Sequence, residues 1–205
     1  MKLIKSAFAL CAVSASLASL SSCAPSLKGD YGDPNQVEIL DDRWNDSDAR
    51  MAAEEMIRSC LSNAWLSSFN NEHKGAKPVV LVGDFENRTD EHIDTKALFE
   101  AVRSNLINSG RLRFVDGDKR GDLLKEYQYQ GSGAVRKDEV KGPGKQRGAD
   151  FFLYGAISNM AAKQDGKKRV TYQVEMRLTN IETSEIEWTE IKKITKRFER
   201  SGAKF

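Results

Sequence analysis

From Pro78 to Asp116 the chain reads PVVLVGDFENRTDEHIDTKALFEAVRSNLINSGRLRFVD, and this stretch limits the possible folds more than any other. Val79, Val80, Leu81 and Val82 form an apolar run of the kind a strand shows when both its faces are buried. Glu86 to Asp90 then gives the polar residues of a surface turn. Asp94 or Thr95 can cap a helix by accepting an orphan N–H. Leu98, Val102 and Leu106 follow at four-residue intervals, with Phe99 and Ala101 beside them, as one apolar stripe. Gly110 stands where a helix commonly ends in a left-handed residue, and Phe114-Val115 opens a short strand. A strand–loop–helix–strand unit of this kind predicts an α/β layer.

Residues 149–196 carry a second pattern. Phe151 to Ile157 reads as a central strand, and Gln164-Asp165-Gly166-Lys167 supplies a hairpin turn. Val170, Tyr172, Val174, Met176 and Leu178 alternate with Thr171, Gln173, Glu175 and Arg177, as in a half-buried strand. Glu182 to Glu185 turns the chain again, and Ile186, Trp188 and Ile194 continue it. The phase slips near Glu190-Ile191, predicting a bulge or an exposed edge there. Lys192, Lys193 and Lys196 would discourage edge pairing.

Arg43 to Phe69 predicts an amphipathic helix, capped by Asp46 or Ser47, with Ile57, Cys60, Leu61, Ala64 and Trp65 on one face. Glu54 and Arg58 stand at i and i+4 on its exposed side. Asp118 to Tyr129 is a short helix candidate, and the glycine- and charge-rich residues 131–148 read as a mobile loop. Gly142-Pro143-Gly144-Lys145 lacks the spacing of a phosphate loop, and Pro143 removes an N–H such a loop would use.

Residues 1–22 have a positive start at Lys2 and Lys5, then an apolar run too short and interrupted to span a membrane. The run ends at Leu20-Ser21-Ser22-Cys23, which resembles the bacterial lipobox. That resemblance implies a lipid on Cys23, with the leader cut before it. The alternative is an ordinary secretory signal with an incidental cysteine. Several acyl chains anchor far more firmly than one. Ala24, where enteric sorting would place Asp for inner-membrane retention, implies the outer membrane. Residues 23–42 read as a flexible tether, reaching roughly 70 Å when stretched and about 25 Å as a coil.

The formal charge is +2, and the leader's two lysines account for it. A balanced chain lacks the concentrated positive surface that nucleic-acid binding requires. With Cys11 in the leader and Cys23 at its end, only Cys60 remains in the body, so no internal disulfide and no CxxC zinc site is expected. On an apolar helix face Cys60 reads as a small buried hydrophobe rather than a reactive thiol. Two histidines, His73 and His92, exclude a His-rich metal site.

Enzyme signatures are thin. There is no GxSxG, HExxH or CxxC. Ser201 to Lys204 has SxxK spacing, but it lies in the basic tail, residues 197–205, without companion motifs. Asp84 and Glu86 fit a solvated strand end. No catalytic residue, cofactor, metal or small-molecule substrate is expected.

Several of these passages together resemble the LpoB family, outer-membrane lipoprotein activators of penicillin-binding proteins. The matching residues are Arg43-Trp44-Asn45, Asn87-Arg88-Thr89, Ser109-Gly110-Arg111, Gly148-Ala149-Asp150 and Thr183 to Trp188. The resemblance covers roughly residues 43–196. It implies a single α/β domain, a mixed sheet flanked by helices, with a fold related to the curli secretion lipoprotein CsgG and the N-terminal domain of TolB. It also implies a non-enzymatic regulator that docks on a class A penicillin-binding protein and stimulates peptidoglycan synthesis. The tether is shorter than the long Pro-rich one of the best-known members. In that frame Asn87, Arg88 and Thr89 form a candidate partner-contact loop, with Arg88 carrying the charge. The competing reading is that Asn87 and Thr89 bond the turn itself while Arg88 faces solvent. A second functional class, an outer-membrane assembly lipoprotein of the curli type, would need lipid-facing hairpins with aromatic girdles, which the chain does not display.

Overall fold

The computed structural model describes Gly29, 31–33 and 35–199. The leader, Cys23, Ala24 and the Ser201–Lys204 spacing lie outside the described residues. The chain divides into Met1–Gln36 and Val37–Phe205. In the first unit Asp33 forms a turn, accepting from the Asn35 N–H at 2.9 Å and the Gln36 N–H at 3.1 Å.

The second unit runs α1 (Asp46–Ser62), α2 (Ala64–Glu72), β1 (Val79–Asn87), α3 (Thr95–Asn108), β2 (Arg113–Val115), α4 (Arg120–Tyr129), β3 (Phe151–Gln164), β4 (Lys167–Asn180) and β5 (Ile186–Glu199). A π-helical turn, Gln130–Ala134, follows α4. The five strands form one mixed sheet in the order β2-β1-β3-β4-β5. β1 is parallel to both β2 and β3, whereas β3, β4 and β5 form an antiparallel meander. The α/β expectation holds. Asp165 and Gly166 both take positive φ, 49° and 75°, so the β3–β4 turn has the twist that long paired strands require.

Register decides what each residue faces. Leu153 pairs with Leu178 and Ile157 with Val174, placing them on one side with Tyr172, Trp188 and Ile194. Helices α1, α2 and α3 cover that side. Trp65 and Phe69 each meet the Phe151 ring edge-on at 5.3 Å, and Phe85 lies 5.4 Å from Phe99. Each fully buried aliphatic or aromatic side chain here contributes about 1.5–3 kcal/mol. α4 buries none of its residues. The other side of the sheet therefore has no helical layer over it.

Several expectations are corrected. Residues 43–69 form two helices, not one. Asn63, at φ −72° and ψ 152°, ends α1 and caps α2 by accepting from the Trp65 N–H at 3.1 Å. The break swings Trp65, Leu66 and Phe69 onto the sheet. α1 is capped by Asn45 in a reciprocal box with Asp48, not by Asp46 or Ser47. α3 begins at the Asp94 cap. Ala64 and Ala101 are exposed, and the ion pairs on α1 are Arg50–Glu54 and Arg58–Glu55 rather than Glu54–Arg58.

Of the two alternatives at Glu190-Ile191 the exposed edge holds, since β5 closes the sheet and Ile191 is exposed, while β5 carries no bulge at Glu190. Its register shift lies at Leu178/Thr179 instead, and this turns Ile186 outward. The polar residues that broke the pattern have partners in the helical layer. Glu190 accepts from the Ser59 hydroxyl, and Lys196 is 2% exposed. Burial pushes the Cys60 thiol up to about 12, so it stays neutral across the physiological range. No helix among the described residues is long and apolar enough to cross a membrane.

Candidate functional site

β1 leaves the sheet at Asn87, and the following turn is closed by its own side chains. The Asn87 carboxamide oxygen accepts from the Thr89 N–H at 2.9 Å and from its hydroxyl at 2.7 Å. Asn87 Nδ2 donates to the Glu91 carbonyl at 2.8 Å, and Thr89 Oγ1 accepts from the Glu91 N–H at 3.1 Å. These bonds spend Asn87 and Thr89 on the turn.

Arg88 is used differently. Its N–H donates to the Ile157 carbonyl at 2.8 Å, which extends the ladder by one rung. Its guanidinium crosses the helix-free face, bonding Glu86 at 2.7 Å through Nη2 and Glu175 at 3.2 Å through Nη1. Register explains this reach. Glu86 pairs with Ala156 and Ala156 with Glu175, so two carboxylates flank one small residue. Ala156 is only 2% exposed although it points to that face, because the ion-pair chain runs over its rung. The hydrogen bond from Glu86 raises the Arg88 pKa above its usual value, so the guanidinium stays charged. Arg177 adds a longer contact to Glu175, at 3.8 Å.

Below this chain lies a depression of about 450 Å³ lined by Asp84, Glu86, Arg88, Phe152, Tyr154, Gly155, Glu175 and Arg177. Phe152 and Tyr154 form its floor, with ring centroids 5.8 Å apart. Aromatics walled by forked guanidinium and carboxylate groups suit a protein surface rather than bond-making chemistry. Among the described residues, no cluster of three His, Cys, Asp or Glu could hold a metal ion.

The same turn is fastened to the chain entering the domain. Glu91 accepts from the Trp44 N–H at 3.0 Å and from the Tyr172 hydroxyl, which also lies 3.0 Å from the Asp42 carbonyl. Burial, then the Glu91 hydrogen bond, raises the Tyr172 pKa. Trp44 packs edge-on against Tyr172 at 5.3 Å. Asn159 donates to Asp90 at 2.9 Å and lowers the Asp90 pKa. Asn87, Arg88 and Thr89 are thus held together on a rigid turn, while Cys23 lies outside the described residues. Sequence reasoning missed Phe152, Tyr154, Glu175 and Arg177 as site residues. The strict alternation in β4 already assigned Glu175 and Arg177 to the solvent side, but only register reveals that they meet Arg88.

The other distinctive sequence passages build the frame. Asp150 accepts from the Val79 N–H at 2.8 Å, locking β3 to β1. Arg111 donates to the Leu61 carbonyl at 2.6 Å near the end of α1, after Gly110 turns at φ 67°. No curated protein matches the chain. Among solved structures it is similar to the LpoB C-terminal domain from Salmonella enterica, at 20% identity over 63% of this chain and 92% of that one, with a TM-score of 0.37. The LpoB C-terminal domain from Escherichia coli gives 20% identity over 64% and 98%, with a TM-score of 0.36. Lipoprotein GNA1162 from Neisseria meningitidis gives 15% over 62% and 88%, with a TM-score of 0.37. The family described as peptidoglycan-synthase activator LpoB matches residues 48–194, from the buried Asp48 in the first turn of α1 to Ile194 in β5. That span takes in β1 to β4 and the first part of β5, and the chain belongs to the LpoB family of peptidoglycan-synthase activators.

Proposed function

We propose that this protein is a non-catalytic outer-membrane lipoprotein, anchored through lipid on Cys23, that binds a class A penicillin-binding protein and raises its synthetic rate. The observation carrying this reading is the family match across residues 48–194. The rigid turn at Asn87–Thr89, with Arg88 laid over the helix-free face, supplies a surface suited to the task.

The reading is tested with the acylated protein and a purified bifunctional synthase. Glycan polymerisation from a lipid-linked precursor is expected to accelerate when the lipoprotein is added, and the lipoprotein alone should convert no precursor. Absence of any acceleration would remove the activator role. Arg88→Glu places three carboxylates around one rung, and it is expected to weaken synthase binding about tenfold, as loss of one partly exposed hot-spot charge does. Unchanged affinity with an intact fold would take Arg88 out of the interface. Cys23→Ala is expected to abolish acyl labelling and to release the protein from membranes; continued labelling would place the lipid elsewhere.

A further inference from the structure

We propose that the hairpin end of the helix-free sheet face, centred on Arg169 and Arg197, docks an acidic segment of the synthase. The inference rests on the synthase-binding reading above and adds where the partner sits. Arg169 and Arg197 are directly opposed in the β4–β5 register. Their neighbours Val170 and Lys196 point into the helical layer, so both arginines point away from it. Opposed side chains on antiparallel strands start about 5 Å apart, and like charges placed there repel. The fold gains nothing from this pair.

No ion pair among the described residues relieves it. Among the described residues Arg169, Arg197 and Lys193 make no ion pair and no side-chain hydrogen bond. Of the carboxylates at this end, Glu199 is engaged with Lys167 at 3.0 Å and Asp42 with Lys168, while Asp165 in the hairpin turn pairs with neither arginine. Lys193 lies on the same face four residues from Arg197, about 13 Å along the strand. Met160, 74% exposed, sits in the adjacent strand opposite Thr171, beside these cations on the same face.

Two guanidinium forks beside a bare thioether match a polypeptide bearing carboxylates and one apolar side chain. A flat anionic membrane matches less well. The same sheet face carries Asp84, Glu86 and Glu175 farther along, and these would repel it. A partner of mixed charge complements both halves, and electrostatic matching of this kind sets specificity and association rate.

The test uses the full acylated protein in micelles with the purified synthase. Arg169→Glu converts the repulsive rung into a cross-strand ion pair. It is expected to raise Tm by about 1–4 °C while weakening synthase binding about tenfold. Loss of binding in a more stable protein cannot come from unfolding. Arg169→Glu with Arg197→Glu restores like-charge repulsion with the opposite sign, and binding is expected to fall by roughly a hundredfold or more. Wild-type affinity should also drop steeply with added salt. If the double variant binds like wild type, the docking surface is wrong and the synthase role stands. If wild type itself does not bind, both readings fall. If the variants lose only binding to phosphatidylglycerol vesicles, the occupant is a membrane and the proposal is overturned.

Discussion

Lys196→Met is expected to destabilise the domain by about 3–5 kcal/mol, the cost of leaving one member of a buried ion pair without its partner. Lys196 Nζ lies 2.6 Å from Asp48 and donates to the Arg43 carbonyl at 2.5 Å, and both side chains are almost wholly out of solvent. Asp48 also accepts from the Asn45 N–H at the start of α1. The methionine therefore strands a carboxylate and a carbonyl together. With a urea m-value of about 2 kcal/mol/M, the unfolding midpoint should fall by roughly 2 M. Adding Asp48→Asn removes the stranded charge, and a substantial part of the loss should return. A midpoint shift below about 0.3 M for the single variant would mean that the pair is hydrated and contributes little.

The second large effect is steric. A Cβ on Gly155 would stand 2.4 Å from the Glu175 carbonyl oxygen and 2.8 Å from the Phe85 ring. The ring is held by its tilted contact with Phe99, and the carbonyl belongs to the neighbouring strand, so neither yields cheaply. Gly155→Ala is expected to cost about 2–3 kcal/mol, a fall in Tm of roughly 4–10 °C for a domain of this size. Thermal unfolding followed by circular dichroism checks it. The variant should also weaken synthase binding, because displacing Glu175 moves the carboxylate that holds Arg88. A Tm within a degree of wild type would show that β3 and β4 separate at this rung without penalty.

Distinctiveness in the sequence and exposure at the surface prove to be different properties. Asn45, Asn87, Thr89, Arg111 and Asp150 all bond backbone groups, and each fixes a cap, a turn or a strand junction. Such residues hold a fold together because alternatives leave orphan N–H or carbonyl groups. Arg88 bonds two carboxylates on the solvent side. Of the Asn87-Arg88-Thr89 turn, it is the member whose side chain reaches across the strands instead of closing the turn.

Local chemistry by itself determined much of this protein. The Asp165-Gly166 hairpin, the alternation of β4, the Asp94 cap and the glycine end of α3 each depend on residues a few positions apart. The break at Asn63 was equally local, since Asn is a strong cap, but a continuous apolar stripe from Ile57 to Trp65 concealed it. Tertiary structure alone decided where Lys196 and Glu190 would go. Read along β5 they are polar residues that suit an edge, yet their partners Asp48 and Ser59 lie more than a hundred residues away on α1. Register likewise decided that Glu86 and Glu175 share one rung within reach of Arg88 and that Arg169 faces Arg197. Period and capping are read within one segment, whereas a charge acquires its meaning from whatever the fold places across from it.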